Sequence, residues 1–282
     1  MPNLPTVLRD EINRGRCILF VGAGASMDAV DANGHPLPHW GMLLTELVDL
    51  IQDSTEPDPS NIVDEIQTML NYGDFMPIAE WIDHRLGDAR FRKHLIARLA
   101  TAKYSQVHEI LSSKPFRAVI TTNYDRLIEI HWEQKGKNPF VVIPQKPETI
   151  ATASDVLDGA DGMTPIIRAH GGLNDPSSLI FFPRTYRDIM FRNEAFRQFM
   201  SMVFRRFTVL FVGMSFRDPN LQSLLQWIYT LTEGKEREQY AILDGKGQVF
   251  KNYMKKNYNL NFITYDAPGG DHSALRDLLD SI

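Results

Sequence analysis

The sequence predicts a doubly wound parallel α/β sheet with a helical insertion, and three observations predict it. Short runs of β-branched and aromatic residues, clearest in Ile18-Leu19-Phe20-Val21 and Thr208-Val209-Leu210-Phe211-Val212, lack the polar alternation of a half-exposed strand. Segments of helical periodicity separate such runs, so strand and helix alternate along the chain. Between residues 30 and 112 the strand signals stop and only helical patterns remain, which reads as an insertion beside the sheet.

Composition narrows the classes of function. With 282 residues, of which 43% are hydrophobic, the chain can bury a large core. Thirty basic residues against thirty-five acidic ones leave a net charge of −5, which argues against a surface that coats nucleic acid. The single cysteine, Cys17, allows no intrachain disulfide and no all-cysteine zinc site, and beside the first strand it reads as a small core residue. No apolar run reaches the length of a membrane span and no secretory leader is recognisable, so a cytoplasmic protein is expected.

Taken in order, Leu4 to Arg14 predicts a short helix, followed by the first strand and its loop, Gly22-Ala23-Gly24-Ala25-Ser26. Gly22 and Gly24 remove Cβ atoms that would hold a pyrophosphate away, and free N–H groups there would bind an anion. The common dinucleotide fingerprint wants a third small residue where Met27 stands, and an acidic residue about 20 positions on at the end of a second strand. Glu46 and Asp49 lie at that distance but in a helical pattern, so a conventional nicotinamide dehydrogenase fits poorly. The loop from Met27 to His39 holds two histidines four apart, His35 and His39, but Pro36 and Pro38 break any helix that would align them on a metal. Helical patterns follow at Trp40 to Ile51, Asn61 to Leu70, Met76 to Leu86 and Phe91 to Leu99; Trp81 reads as core.

Strands return at Phe116 to Ile120, Phe140 to Ile143, Pro165 to Ala169, Leu179 to Phe182, Thr208 to Val212, Tyr240 to Leu243 and Leu260 to Tyr265. Helices are predicted at Leu127 to Trp132, at Glu194 to Phe204 and after Asp218-Pro219, with Asp218 as N-cap, Pro219 at the first turn, and Leu221, Leu224, Leu225, Ile228 and Leu231 as the apolar face. A last short helix ends at Ile282.

Ligands of open α/β sheets bind outside the carboxyl ends of the strands. Four predicted strands end in polar or glycine-bearing loops: Gly22 to Ser26, Thr121 to Asp125, His170 to Gly172 and Gly213 to Ser215. Thr122, Asn123 and Asp125 offer hydroxyl, amide and carboxylate groups; both ligand binding and ordinary turn closure account for them. His170, at a strand end and before Gly171-Gly172, suits a general base. His108 and His131 read as packing or surface residues.

These stretches, Gly22-Ala23-Gly24-Ala25-Ser26, Thr121-Thr122-Asn123-Tyr124-Asp125, His170-Gly171 and Gly213-Met214-Ser215, resemble in kind and order the sirtuin superfamily, and in particular its bacterial sirtuin-like NAD hydrolase branch. The resemblance covers nearly the whole chain and is weakest across residues 30–112. It implies a Rossmann-like NAD-binding domain formed by residues 1–29 and 113–282, with the helical insertion at 30–112. By the same resemblance the Gly22, Ala23, Gly24 and Ser26 loop holds the phosphates with Thr122 and Gly213 nearby. Asn123 and His170 are then the catalytic pair, Asp125 lies near the nicotinamide pocket, and Ser215 contacts the adenosine-side ribose.

The chain departs from classical sirtuin deacylases in two ways. Those enzymes carry four zinc-binding cysteines, and they carry a Gly-Ile-Pro-Asp-Phe-Arg run where this chain offers Pro36-Leu37-Pro38-His39-Trp40. Trp40 is open to a pocket-lining or a core role. The expected activity is therefore hydrolysis of NAD+ to nicotinamide and ADP-ribose, without a metal, in bacterial antiphage defence. The chain is almost wholly the sirtuin-like part, so gating is expected from a homo-oligomer or from a partner such as a ring-forming translocase ATPase or an Argonaute-type protein. Two alternatives stand: an NAD-dependent deacylase or ADP-ribosyltransferase, and a non-catalytic NAD or ADP-ribose sensor. Neither membrane association nor direct nucleic-acid binding is expected.

Overall fold

In the computed structural model, which describes residues 4–54, 59–100, 102–159, 163–216, 219–234, 237–245 and 247–282, the first strand lies at the centre of the molecule. This strand, β1 (Cys17–Val21), pairs in parallel with β2 (Val119–Thr121) on one side and β5 (Thr208–Val212) on the other. The sheet continues from β2 to β4 (Thr164–Arg168) and β3 (Pro139–Val142), and from β5 to β6 (Gln239–Asp244) and β7 (Leu260–Tyr265). Among the described residues the sheet has seven strands, all parallel, in the order β3-β4-β2-β1-β5-β6-β7. The chain builds the β2 side first and then returns across β1 to start the β5 side. The β1/β5 boundary is thus the topological switch point, where α/β sheets open a crevice.

Covering both faces makes β1 apolar at every position. Ile18 and Phe20 join one core with residues of α8 (Pro147–Leu157), α10 (Glu194–Arg206), α11 (Pro219–Thr232) and α12 (Gln248–Tyr258). Cys17, Leu19 and Val21 join the opposite core with α1 (Thr6–Asn13), α6 (Gln106–Ser113), α7 (Leu127–Gln134) and α13 (Ser273–Asp280). A third core is formed by α2 (Trp40–Gln52), α4 (Phe75–Leu86) and α5 (Asp88–Leu99), with α3 (Ser60–Tyr72) contributing Ile66. Arg98 pins this helical region to the preceding loop: it donates to Glu46, to Asp31 Oδ2 at 2.7 Å and to the carbonyl of Pro36 at 3.0 Å.

The structure departs from the sequence-based expectations at Leu179 to Phe182 and at Leu231. Leu179 to Phe182 is extended but joins no ladder; Ile180 N–H donates to the carbonyl of His170 at 3.0 Å, and the rings of Phe181 and Phe182 pack at a tilt against Phe91. A short apolar run records burial and not the element that is buried, and here the burial is against the helical core. Leu231 is 46% exposed, whereas Leu221, Leu224, Leu225 and Ile228 are buried as expected. The expected N-cap, Asp218, lies outside the described residues; the helix itself begins at Pro219. No helix among the described residues is long and apolar enough to cross a membrane.

At the switch point two loops touch backbone to backbone. Gly24 N–H donates to the carbonyl of Gly213 at 2.9 Å, and Gly22 N–H to that of Val212 at 3.0 Å. A Cβ on Gly22 would lie 2.6 Å from Gly213 O, one on Gly24 2.9 Å from Gly213 Cα, and one on Gly213 2.2 Å from Ala25 N. Gly213 also has φ +71°, the left-handed region that costs other residues about 1–3 kcal/mol. The substitution Gly213→Ala is therefore expected to destabilise the protein by at least ~2 kcal/mol, read as a fall of several degrees in the thermal midpoint. An unchanged midpoint would mean that the loops are free to separate.

Candidate active site

A cleft of about 490 Å³ runs along the carboxyl ends of the strands, within the size range of small-molecule sites. Its floor is the glycine contact just described, and its borders include Asn123 after β2, His170 after β4, Ser215 after β5 and Asp244 at the end of β6. The cleft brings together every residue singled out from sequence as a catalytic or cofactor-binding candidate: Gly22, Ala23, Gly24 and Ser26; Thr122, Asn123 and Asp125; and His170, Gly213 and Ser215. Trp40 serves both of its open roles, lining the cleft and packing on Phe75, Phe181 and Tyr186.

Beneath Asn123 lies a buried network with Ser26 at its centre. Ser105, the N-cap of α6, donates its backbone N–H to His108 Nδ1 at 3.2 Å. That nitrogen is thereby the acceptor of the ring, which places the proton on Nε2. His108 Nε2–H then donates to Ser26 Oγ at 3.2 Å, and Ser26 donates to Asp125 Oδ2 at 3.0 Å. The Asn123 amide donates through Nδ2 to Ser26 Oγ and to the carbonyl of Gly22, each at 3.2 Å. Burial lowers the His108 pKa and keeps the ring neutral, as the tautomer requires, although the Asp125 carboxylate opposes the shift. Asn123 Oδ1 is left buried and without a partner among the described residues. An amide whose donor end is held and whose acceptor end is unused is oriented toward something else that can donate.

Asp125 is held on both sides, since its Oδ1 accepts from the N–H of Leu127 at 3.1 Å and closes the turn into α7. Turn closure and the polar network thus account for its carboxylate together. His170 stands in the turn after β4, half-buried, with its ring perpendicular to that of Tyr186 of α9 (Pro183–Arg187) at 5.1 Å between centroids. Gly171 allows that turn: its φ is +74°, and a Cβ there would lie 2.0 Å from the carbonyl of Ser178.

One expectation is corrected. The N–H groups of Gly22 and Gly24 are not free for an anion; both are spent within the protein, as is that of Ala25, which donates to Gly22 O at 3.0 Å. What the glycines supply is a thin floor, with backbone where side chains would otherwise fill the cleft. His108, read as a packing or surface residue, is a packing residue that also feeds the site. A signal was present in the sequence: Ser105-x-x-His108 ahead of an apolar helix is a capping box with histidine at its third position. The far end of the cleft, with Asp244, Tyr265 and His272, gave no comparable signal; there Tyr265 Oη and His272 Nδ1 are 2.8 Å apart. Among the described residues no group of three or more His, Cys, Asp or Glu is placed to hold a metal ion.

Residues 117–263 match the SIR2-like domain family, and the chain belongs to that family. It is similar to proteins named NAD(+) hydrolase ThsA: 25% identical to that of Cytobacillus dafuensis, over 91% of this chain and 47% of the relative. For the Enterococcus faecium protein the figures are 26%, 83% and 44%, and for that of Acinetobacter baumannii (strain 532279) 26%, 89% and 47%. The chain spans about half the length of these curated relatives.

Burial lowers the folded-state pKa of both His108 and His131 below the ordinary value of 6.5. As the pH falls through about 6.5 the unfolded chain takes up protons that the folded chain refuses, so stability declines with acidification. Thermal midpoints measured between pH 7.5 and 5.5 should fall, and the substitution His108→Gln should make that fall shallower. An equally steep fall in the variant would show that His108 is not held neutral.

Proposed function

We propose that the cleft binds NAD+ and hydrolyses it to nicotinamide and ADP-ribose. The observation that carries this reading is the orphaned Asn123 Oδ1 in the same cleft as His170, beside a floor without side chains. It is supported by membership of the SIR2-like family and by similarity to relatives named as NAD(+) hydrolases. The nicotinamide-side ribose lies over the ends of β2 and β4, the pyrophosphate crosses the Gly22–Ser26 loop, and the adenosine half extends toward β6 and β7, with Ser215 at its ribose.

The chemistry needs few groups. Nicotinamide is bound to the ribose through a cationic nitrogen, so it departs as a neutral molecule and takes the bonding electrons without an acid. The positive charge passes to the ribose as an oxocarbenium-like centre, which water attacks to give ADP-ribose and one proton. Asn123 Oδ1 accepts a hydrogen bond from the attacking water or from a ribose hydroxyl and fixes its direction, an effect of orientation. His170 takes the proton from the hydroxyl or the water, a contribution of about 10²–10⁴-fold. The edge contact with Tyr186 fixes the plane in which the imidazole works.

The biological setting proposed, from the resemblance, is NAD depletion in bacterial antiphage defence. An enzyme that destroys a central cofactor calls for control, and we assign that control to self-association or to a partner protein. Turnover is tested by nicotinamide release from NAD+ with no acyl peptide or acceptor protein added. The parent chain is expected to release nicotinamide, and Asn123→Ala and His170→Ala to lose roughly 10²–10⁴-fold while remaining folded. Near-normal release by either variant would remove that residue from the mechanism, and release only with an acyl peptide would make the protein a deacylase.

A further inference from the structure

Arg168 is a charged residue in the sheet, on β4, 3% exposed and two positions before His170. Its guanidinium donates through Nη1 to the carbonyl of Asn123 at 3.3 Å and through Nη2 to that of Asp125 at 2.9 Å. Nε donates to Glu129 Oε1 of α7 at 2.7 Å, and Nη2 contacts the same oxygen. Gly172 makes room for it, since a Cβ there would lie 2.8 Å from Arg168 Cδ. One side chain on the strand that leads to His170 therefore holds the backbone of the loop that bears Asn123.

A buried ion pair is a weak device for stability, because desolvating the two charges consumes most of what their attraction returns. What a planar fork supplies is direction: several donors at fixed angles, which an ammonium cannot reproduce. We propose that Arg168 is a positioning residue for the reaction assigned above, setting the Asn123 loop relative to His170 from behind the cleft. Arg168 is not among the residues that line the cleft. This inference rests on the hydrolase reading for its kinetic consequence, and on the contacts alone for its structural one.

Three substitutions test it. Arg168→Lys keeps the charge and loses the fork; Arg168→Met loses both; Arg168→Met with Glu129→Leu replaces the whole pair by apolar groups of similar size. The double variant is expected to recover thermal stability lost in the single one, since an apolar pair packs without an unpaired charge. Turnover should not recover with it. In the double variant and in Arg168→Lys, kcat for nicotinamide release should fall about 10²-fold, the scale of a misplaced reacting group, with KM and the affinity for ADP-ribose within about threefold of the parent. Recovery of kcat together with stability would reduce Arg168 to a structural role and overturn the proposal. A second readout is independent of turnover: the side-chain amide resonances of Asn123 should shift in Arg168→Lys and in the double variant, and unshifted resonances would overturn the proposal. Absence of nicotinamide release from the parent chain bears on the hydrolase reading alone, because the resonance test still decides the positioning claim.

Discussion

The contact between Gly24 and Gly213 is the constraint on which the cleft depends. The parallel sheet reverses its order of construction between β1 and β5, so two loops leave adjacent strands side by side at one edge. With Cβ atoms on both, they would be forced apart; without them, the N–H of Gly24 reaches the carbonyl of Gly213. That bond seals the floor of the crevice. It also fixes Ser26, the last residue of the short 3-10 turn Ala23–Ser26, under the cleft.

From Ser26 the order spreads sideways. A single hydroxyl accepts from Asn123 and His108 and donates to Asp125, so three segments distant in sequence share one buried oxygen. The direction of each bond follows from the first, because the capping box of α6 decides which nitrogen of His108 carries a proton. The consequence at the surface of the cleft is an amide held by its donor end. From the opposite side Arg168 grips the same loop by its carbonyls. The loop that bears Asn123 is thus clamped through side chain and backbone by separate groups, which is how a site is held in shape before a ligand arrives.

Most of the sheet was legible because burial on both faces writes itself as uninterrupted apolar runs, as in Ile18 to Val21 and Thr208 to Val212. The same signal misled at Leu179 to Phe182, where the partner of the apolar run is a helical core and not another strand. The site residues that announced themselves were those in polar or glycine-bearing loops at strand ends. His108 showed only a capping-box spacing in an otherwise ordinary helix, and Arg168 only a polar interruption in a strand. Their partners, Ser26 and Asn123, stand 82 and 45 residues away in the chain, and only the fold brings them together.

The most direct test of these assignments is a crystal structure of the His170→Ala protein with NAD+ bound. The reactive ribose should lie at the ends of β2 and β4, with a hydroxyl or an ordered water within hydrogen-bond reach, about 2.6–3.2 Å, of Asn123 Oδ1, and the adenine toward β6 and β7. A dinucleotide bound in the reverse sense, or outside the cleft, would contradict the assignment of Asn123 and His170 and the proposed reaction with it.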